Sequence, residues 1–206
     1  MVQSEVAGKK AGESDHLLVA HVVVPEGLAY SEDNGVKQWS LSDYFEAVLD
    51  QVIQRVPAHG TVFLSPGNTF GCESTEEEYA AQYLASKRPE LKVFVPLKMG
   101  DRSYLDTFDN ARLLRSWLQT QKLWTLGKVI LYCNRPHAFR SYLLFRLCGF
   151  NVTQVVAIRP LKVSRSMVSR LWFYNYLPVQ LLYEAAGMLY GLIRWVIWLR
   201  DRKGTA

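Results

Sequence analysis

Five short apolar runs alternate with stretches of helical periodicity, and this alternation constrains the fold more than any other feature of the sequence. The first run is almost entirely apolar, which is typical of a strand covered on both faces in a parallel sheet. Strands that alternate with helices across short turns favour an open α/β sheet with right-handed crossovers. We therefore expect an α/β fold with three layers: a Rossmann-like, open and mainly parallel sheet with helices on both faces. The predicted strands are 17–24, 61–65, 91–96, 128–133 and 152–158.

The helices of this fold are predicted from apolar residues that recur every three or four positions. After the first strand, a stretch rich in polar residues is expected to form a loop. Ser74 and Thr75 are candidate caps of the second helix, and Asn134, followed by Pro136, is a candidate N-cap of the fourth. The predicted helices are 41–56, 75–88, 104–121, one from 134 or 135 to 148, and a long C-terminal helix.

The chain is expected to divide into a short N-terminal segment, one α/β domain and the C-terminal helix. Residues 1–15 are polar, mixed in charge and rich in Gly, Ser and Lys, so we expect them to be disordered, and they lack the pattern of a signal peptide. The domain is predicted to cover 16–176 and the helix 177–206. Three scattered cysteines favour a reducing compartment, and we expect a cytoplasmic protein without a metal site.

The C-terminal helix is open to three interpretations. Over residues 177–199 it is apolar apart from Gln180, Glu184 and Arg194, and basic residues follow. This length is sufficient for a membrane span, but the two ionisable residues would be costly in hydrocarbon. Packing on the sheet or in a homodimer fits the pattern best. Peripheral attachment to the inner face of a membrane through 177–203 is the second interpretation.

The net charge of +5 is unevenly distributed, because most acidic residues lie before position 110 and most of the basic excess follows it. This distribution favours an anionic or nucleotide-like small molecule as a partner of the C-terminal half. The basic residues form no continuous stripe and their excess is small. Nucleic-acid binding is therefore not expected.

Polar residues follow the carboxyl ends of the predicted strands, which meet at one edge of a parallel sheet, and ligands bind at this edge in open α/β folds. His137 and Arg140 lie three residues apart at the start of the predicted fourth helix, where its positive end would favour an anion. They are the candidate catalytic residues. The candidate residues for binding a cofactor are Glu26, Gly27, Ser65, Gly67, Asn68, Glu76, Thr107, Asn110 and Asn134.

Each of the two basic residues has a catalytic and a structural interpretation. Arg140 offers a planar fork of donors that suits a phosphate or a carboxylate, and a salt bridge to a nearby acidic residue explains it equally well. His137 could bind a phosphate oxygen or transfer a proton, since the pKa of histidine is close to neutral. In the structural interpretation, it caps the helix or is a buried, hydrogen-bonded group.

The other candidates are open in the same way. Thr107 and Asn110 share a helical face and could hold a ligand hydroxyl or amide. Alternatively, Asp106 or Thr107 could cap the helix while Asn110 bonds to the backbone. Glu76 could accept a hydrogen bond from a ribose hydroxyl or an amine, or simply occupy a favourable first helical turn. Ser65 lies in no Gly-x-Ser-x-Gly turn, which argues against a hydrolase triad.

Three motifs, taken in order, resemble those of the SanA/YdcF/ElyC-like proteins of the bacterial envelope and cytoplasm. The first is a serine and glycine turn followed by an acidic helix start, here 65–68 and 74–76. The second is Thr-x-x-Asn-Ala, here 107–111, and the third is His-x-x-Arg after a strand, here 137–140. The chain departs from the family pattern at Pro66, which removes one backbone N–H from the second turn.

The resemblance implies a YdcF-like α/β protein that binds a nucleotide-like or phosphorylated small molecule at the C-terminal edge of its sheet, with S-adenosylmethionine as one candidate. One alternative is an envelope-linked enzyme acting on a lipid-linked phosphate, in which His137 and Arg140 act on the phosphate. Another is a non-catalytic interaction protein that uses the aromatic C-terminal segment containing Trp172, Phe173 and Tyr174. The sequence leaves open whether the protein is an enzyme.

Overall fold

Eight strands and five helices make up the described part of the chain. The computed structural model describes residues 19–96, 104–124, 127–159, 168–169 and 176–204. The strands are β1 (Val19–Val23), β2 (Leu28–Asp33), β3 (Val36–Leu41), β4 (Thr61–Leu64), β5 (Lys92–Phe94), β6 (Lys128–Asn134), β7 (Val152–Ile158) and β8 (Val168–Ser169). The helices are α1 (Asp43–Arg55), α2 (Glu76–Lys87), α3 (Thr107–Thr120), α4 (Ala138–Leu147) and α5 (Leu177–Gly204).

Five of the strands form a parallel sheet in the order β5-β4-β1-β6-β7. The chain proceeds outward from β1 through β4 to β5 and then returns to β6 on the other side of β1, so the strand order reverses beside β1. Val22 belongs to the core that includes α3 and α4, whereas its neighbour Val23 belongs to the core that includes α1 and α2. Helices therefore cover both faces of the sheet, and the predicted Rossmann-like α/β fold is confirmed.

The segment between β1 and α1 contains a hairpin, so its prediction as a loop was wrong. β2 and β3 pair in antiparallel register, and Asn34 and Gly35 between them have φ values of 51° and 78°. Asn-Gly favours such a two-residue turn because both residues tolerate positive φ. β8 pairs with β2 and completes a three-stranded antiparallel sheet. The polar side chains of this exposed hairpin resemble those of a loop, which explains the error.

The start of α4 also differs from its prediction. Asn134 is the last residue of β6, and α4 begins at Ala138 with His137 in the N-cap position. Asn134 is therefore not the N-cap, and His137 makes no side-chain capping hydrogen bond. Thr75 caps α2 through its side chain, and Asp106 caps α3 in the same way.

One side of α5 packs on α3 and α4. Gly187 lies against the guanidinium of Arg140 and Gly191 against Leu144, so a side chain at either glycine would collide with its neighbour. Nε1 of Trp195 donates a hydrogen bond to the carbonyl oxygen of Leu147 at 3.1 Å. No helix in the described ranges is long and apolar enough to cross a membrane.

Two sequence predictions concern residues outside the described ranges. These are the disordered segment 1–15 and the aromatic segment that contains Trp172, Phe173 and Tyr174. The predicted ends of the other helices and strands differ from the structure by at most a few residues.

Leu114 tests the assignment of the core, because it is fully buried among the residues of α3, α4 and the sheet. Leu114→Ala is expected to lower the free energy of unfolding by about 2–5 kcal/mol, since it removes apolar contacts and leaves a cavity. Leu182 of α5 is 72% exposed, and Leu182→Ala is the matched control, with an expected change below about 0.5 kcal/mol. Urea unfolding followed by circular dichroism measures both values, and equal losses would contradict the assignment.

Candidate functional site

A cavity of about 460 Å³ opens at the C-terminal edge of the parallel sheet, beside the point where the strand order reverses. Open α/β sheets bind ligands at this position, and the volume is in the range of small-molecule sites. The turns after β1 and β4, the starts of α2, α3 and α4, and one residue of α5 form its wall. The lining residues that were not among the eleven candidates are Pro25, Phe70, Tyr104, Leu105, Asp106 and Tyr183.

Eight of the eleven residues predicted from the sequence line this cavity. The topology brings them together because each follows the carboxyl end of a strand or begins the next helix. They are Glu26, Gly27, Asn68, Glu76, Thr107, Asn110, His137 and Arg140. Ser65, Gly67 and Asn134 are not among the lining residues.

These three residues support the wall from behind. Ser65 is buried directly after β4, and its Oγ has no hydrogen-bond partner among the described residues. Gly67 packs so closely on α2 that a Cβ atom there would lie 2.7 Å from the Cβ of Glu76. Asn134 is buried at the end of β6, where its backbone N–H donates to Glu26. Direct contact of these three residues with a ligand therefore stays a prediction.

The carboxylate of Glu76 joins the turns after β1 and β4. Its Oε1 accepts a hydrogen bond from the N–H of Gly27 at 2.6 Å. Its Oε2 accepts from the N–H and from the Nδ2 of Asn68, at 2.7 and 3.2 Å. Burial raises the pKa of Glu76 to about 7, although these hydrogen bonds act to lower it. Glu76 thus holds two separate segments of the cavity wall in place.

Two asparagines attach the start of α3 to the turn after β4. Asn68 accepts a hydrogen bond from the N–H of Leu105 at 2.6 Å and donates to the carbonyl oxygen of Leu105 at 3.1 Å. Asn110 donates from Nδ2 to the carbonyl oxygen of Pro66. The backbone contact that the sequence left open as an alternative for Asn110 is therefore present. Together these bonds fix the position of Thr107, the first residue of α3.

A buried chain of hydrogen bonds joins Glu26, His137 and Thr107. Nδ1 of His137 lies 3.2 Å from Oε1 of Glu26, and Nε2 lies 2.8 Å from Oγ1 of Thr107. Because the same Oε1 accepts the N–H of Asn134 at 2.6 Å, we assign it as the acceptor for the imidazole too, with the imidazole proton on Nδ1. Nε2 then accepts the hydroxyl proton of Thr107. A carboxylate, an imidazole and a hydroxyl in this order can transfer protons.

Burial has opposite effects on the two ionisable groups of this chain. It raises the pKa of Glu26 to about 8. Burial, together with the nearby positive charge of Arg140, lowers the pKa of His137 to about 3. The imidazole is therefore neutral near pH 7, and the near-neutral pKa expected for His137 from the sequence was wrong. A neutral imidazole can accept a proton, but it offers no positive charge to a phosphate.

Arg140 forms an ion pair with Glu184 of α5. Nε of Arg140 lies 2.9 Å from Oε2 of Glu184, and Nη2 donates to Oε1 at 3.2 Å. The guanidinium carbon lies 5.5 Å from the ring centroid of Tyr183. Arg140 both lines the cavity and forms the salt bridge that the sequence left open as its structural alternative. The sequence did not indicate Glu184 or Tyr183, because their place beside the cavity depends on how α5 packs.

A second arginine attaches α5 to the start of α3. Arg194 donates to both carboxylate oxygens of Asp109, at 2.6 and 2.9 Å, and to Asp106 at 2.9 Å. These hydrogen bonds raise the pKa of Arg194 above its ordinary value. Bidentate pairing of this kind fixes orientation as well as distance. The two ion pairs of α5 therefore both hold the helix at the cavity.

The balance of charge in the cavity determines which ligand groups it suits. Glu26 and Glu76 line it, whereas Arg140 is already paired with Glu184. The glutamates suit groups that donate hydrogen bonds or carry positive charge, and Arg140 suits one anionic group. Within the described part of the chain, no cluster of His, Cys, Asp and Glu could hold a metal ion.

The chain matches no family model, no curated protein and no solved structure. The resemblance to the YdcF-like proteins therefore stays a prediction from three short motifs. Four residues of the second and third motifs, Thr107, Asn110, His137 and Arg140, line the cavity together. The function is accordingly argued from the chemistry of the cavity.

Glu26 makes the stability of the protein dependent on pH. Its pKa is about 8 in the folded state, against an ordinary value of 4.5 in an unfolded chain, so unfolding releases a proton between these pH values. The raised pKa values of Glu26 and Glu76 therefore act to lower the free energy of unfolding as the pH rises from about 5 to 8, while the lowered pKa of His137 opposes this fall below about pH 6.5. Glu26→Gln keeps an acceptor oxygen but does not titrate. Over this pH range, the fall in its free energy of unfolding should therefore be smaller than that of the wild type by roughly 3 kcal/mol.

Urea unfolding at about pH 5.5 and about pH 8 measures this difference between the wild type and Glu26→Gln. Glu32 is exposed on β2, and Glu32→Gln is the matched control that should leave the pH dependence unchanged. The same pH dependence in the wild type and in Glu26→Gln would contradict the titration of a buried carboxyl group.

Proposed function

We propose that the protein binds a nucleotide-like small molecule in this cavity. The observation that carries the proposal is the cavity itself, which has about 460 Å³ and charged groups of both signs at the reversal point of a parallel sheet. Its mixture of apolar wall and a few converging polar groups is typical of sites that orient one small ligand.

The charges of the cavity narrow the class of ligand. Glu26 and Glu76 can accept hydrogen bonds from ribose hydroxyls or an amine, and above their raised pKa values they would also repel a polyphosphate. Arg140 can pair with one carboxylate or one phosphate group. Phe70 and Tyr104 supply aromatic surface against which a base can pack. A nucleoside that carries an amine and a single anionic group suits this arrangement better than a nucleoside triphosphate.

S-adenosylmethionine is the candidate that the resemblance to the YdcF-like proteins implies, and its charges follow this pattern. Its carboxylate would pair with Arg140, while its amine and sulfonium would lie near Glu26 and Glu76. Its ribose hydroxyls could donate hydrogen bonds to the same glutamates. The proposal concerns binding and does not extend to transfer of the methyl group.

A ligand that binds Arg140 would compete with Glu184 of α5 for the guanidinium. Glu184 already interacts with Nε and Nη2 of the guanidinium. An incoming carboxylate would use the same donors, so the affinity for the ligand depends on how firmly α5 holds this ion pair.

Isothermal titration calorimetry with S-adenosylmethionine tests the proposal. We expect saturable binding to the wild type and about tenfold tighter binding to Glu184→Gln, because a competing carboxylate is removed; tenfold corresponds to about 1.4 kcal/mol. Arg140→Gln is expected to weaken binding by at least the same factor. At about pH 8.5, where both Glu26 and Glu76 are mostly ionised because it lies above their raised pKa values, ATP should bind more weakly than S-adenosylmethionine, since these carboxylates repel its phosphates.

Glu32→Gln is the matched control for the loss of a carboxylate, and its affinity for S-adenosylmethionine should equal that of the wild type. Absence of binding heat with S-adenosylmethionine, adenosine and nucleotides would reject the proposed function. Equal affinities of Glu184→Gln and the wild type would reject only the competition at Arg140.

The chain of Glu26, His137 and Thr107 supports a second candidate function, an enzyme acting on a lipid-linked phosphate. In this proposal the Thr107 hydroxyl attacks phosphorus, and Nε2 of His137 takes its proton and returns it to the leaving polyprenyl oxygen. Water then hydrolyses the phosphothreonine, which releases inorganic phosphate and restores the hydroxyl. Arg140 would stabilise the charge that develops on the phosphoryl oxygens. Above their raised pKa values the two cavity glutamates would repel that phosphate, which counts against this candidate and places it second.

Release of inorganic phosphate from a polyprenyl phosphate in detergent micelles tests this second candidate. Thr107→Val and His137→Gln are each expected to lower kcat at least ~100-fold, because each interrupts proton transfer. Thr107→Ser keeps the hydroxyl and should retain measurable activity. A protein that binds S-adenosylmethionine but releases no phosphate would reject the second candidate and leave the first standing.

We further propose a cytoplasmic location. Cys72, Cys133 and Cys148 are free thiols, and Cys133 and Cys148 are buried. Free thiols persist in reducing compartments, which supports this location. From the sequence, we expected α5 to contact a second copy of the chain or the inner face of a membrane. Either contact would be made by the exposed surface of that helix.

A further inference from the structure

α5 presents an apolar face to solvent along most of its length. The inward side carries Gly187, Gly191, Arg194 and Trp195, which contact α3 or α4. The opposite side carries large apolar side chains that are 41% to 72% exposed. We call this side the outward face, and it consists of Val179, Leu182, Leu189, Ile193, Val196 and Ile197.

No charged side chain interrupts the outward face. Over residues 179–197 the charged residues are Glu184 and Arg194, and both point inward, to ion pairs with Arg140 and Asp109. Single exposed apolar residues are normal on a soluble protein, but a continuous apolar patch marks an interaction surface. The outward face is such a patch.

Positive charge follows directly at the C-terminal end of this face. Arg200 and Arg202 are exposed, and residues 200–203 contain three basic residues and one acidic residue. A helix with a broad apolar face and adjacent basic residues suits the interface of a membrane whose lipids are anionic.

We infer that α5 docks its outward face onto the surface of an anionic lipid bilayer, with the helix axis parallel to that surface. The width of the face argues for lipid over a second copy of the chain. Leu181 and Tyr190, both exposed, extend it to roughly 180° of the helix circumference at 100° per residue. A seam between two helices is a narrower stripe flanked by polar residues that fix the register, whereas the two charged residues of 179–197, Glu184 and Arg194, are engaged in ion pairs with Arg140 and Asp109.

The docked helix would also bring the cavity close to the lipid. Tyr183 lines the cavity and follows Leu182, which belongs to the outward face. Its hydroxyl lies 3.5 Å from that of Tyr104, which is 61% exposed. The cavity rim therefore lies within about one helix diameter, roughly 10 Å, of the docked surface. This inference goes beyond ligand binding and does not depend on which ligand the cavity takes.

Co-sedimentation of the full-length chain with lipid vesicles tests the inference. We expect binding to vesicles of phosphatidylcholine and phosphatidylglycerol in equal parts, at least tenfold weaker binding to phosphatidylcholine alone, and weaker binding as salt is added. Leu182→Glu combined with Ile193→Glu should reduce binding to anionic vesicles at least tenfold. Val36 is 63% exposed at the start of β3, and Val36→Glu is the matched control that should bind like the wild type.

A second pair of changes leaves the apolar face intact. Arg200→Gln combined with Arg202→Gln should weaken binding to anionic vesicles and leave binding to phosphatidylcholine unchanged. Circular dichroism and thermal unfolding establish that each variant is folded. These two arginines are exposed at the end of a helix, so their substitution should not disturb the fold. The arginine variant therefore keeps the test decisive if the Leu182→Glu, Ile193→Glu variant proves unstable.

Three results would overturn the inference. One is a wild-type chain that remains in the supernatant with both kinds of vesicle. Another is equal vesicle binding by the wild type and the Leu182→Glu, Ile193→Glu variant, since adsorption would then occur elsewhere. The third is a wild-type dimer in sedimentation velocity that this variant converts to a monomer while vesicle binding is absent, because a second copy would then cover the face.

Discussion

The hydrogen bonds to the carboxylate of Glu76 are the interaction on which the cavity depends. Three donors from the turns after β1 and β4 converge on this one group. Asn68, one of the donors, also bonds to the backbone of Leu105 and so transmits the constraint to the start of α3. Burying a carboxylate is costly, and these bonds, with the positive end of α2, offset the cost. The position of Thr107 beside His137 follows from this arrangement.

Much of the fold was predictable because its signals are local. The apolar run that became β1 and the cap residue Thr75 of α2 can each be recognised from a few neighbouring residues. The same reasoning failed for the hairpin of β2 and β3, although Asn34 and Gly35 carry a strong turn signal, because its exposed strands lack the apolar alternation that would mark them. It also failed at Asn134, where pairing of β6 with β7 continues the strand past the expected helix start.

The sequence predicted only those residues of the site whose positions follow from the ends of the strands. His137 and Arg140 could be placed at the correct edge of the sheet, since the carboxyl ends of parallel strands meet there. The ion pair of Arg140 with Glu184 joins residues 44 positions apart and depends on the direction in which α5 folds back. The neutral state of His137 likewise depends on its burial, which no local pattern encodes. The charge of the cavity therefore became apparent only from tertiary packing.

Gly187 has a consequence for how related chains can be compared. Alanine at this helical position would gain about 1 kcal/mol of intrinsic propensity, so helix propensity alone gives no reason to retain glycine. A methyl group there would collide with the guanidinium of Arg140 unless that side chain shifted. Substitutions at these two positions are consequently expected to be coupled, because a larger residue at 187 requires the arginine to move out of its ion pair.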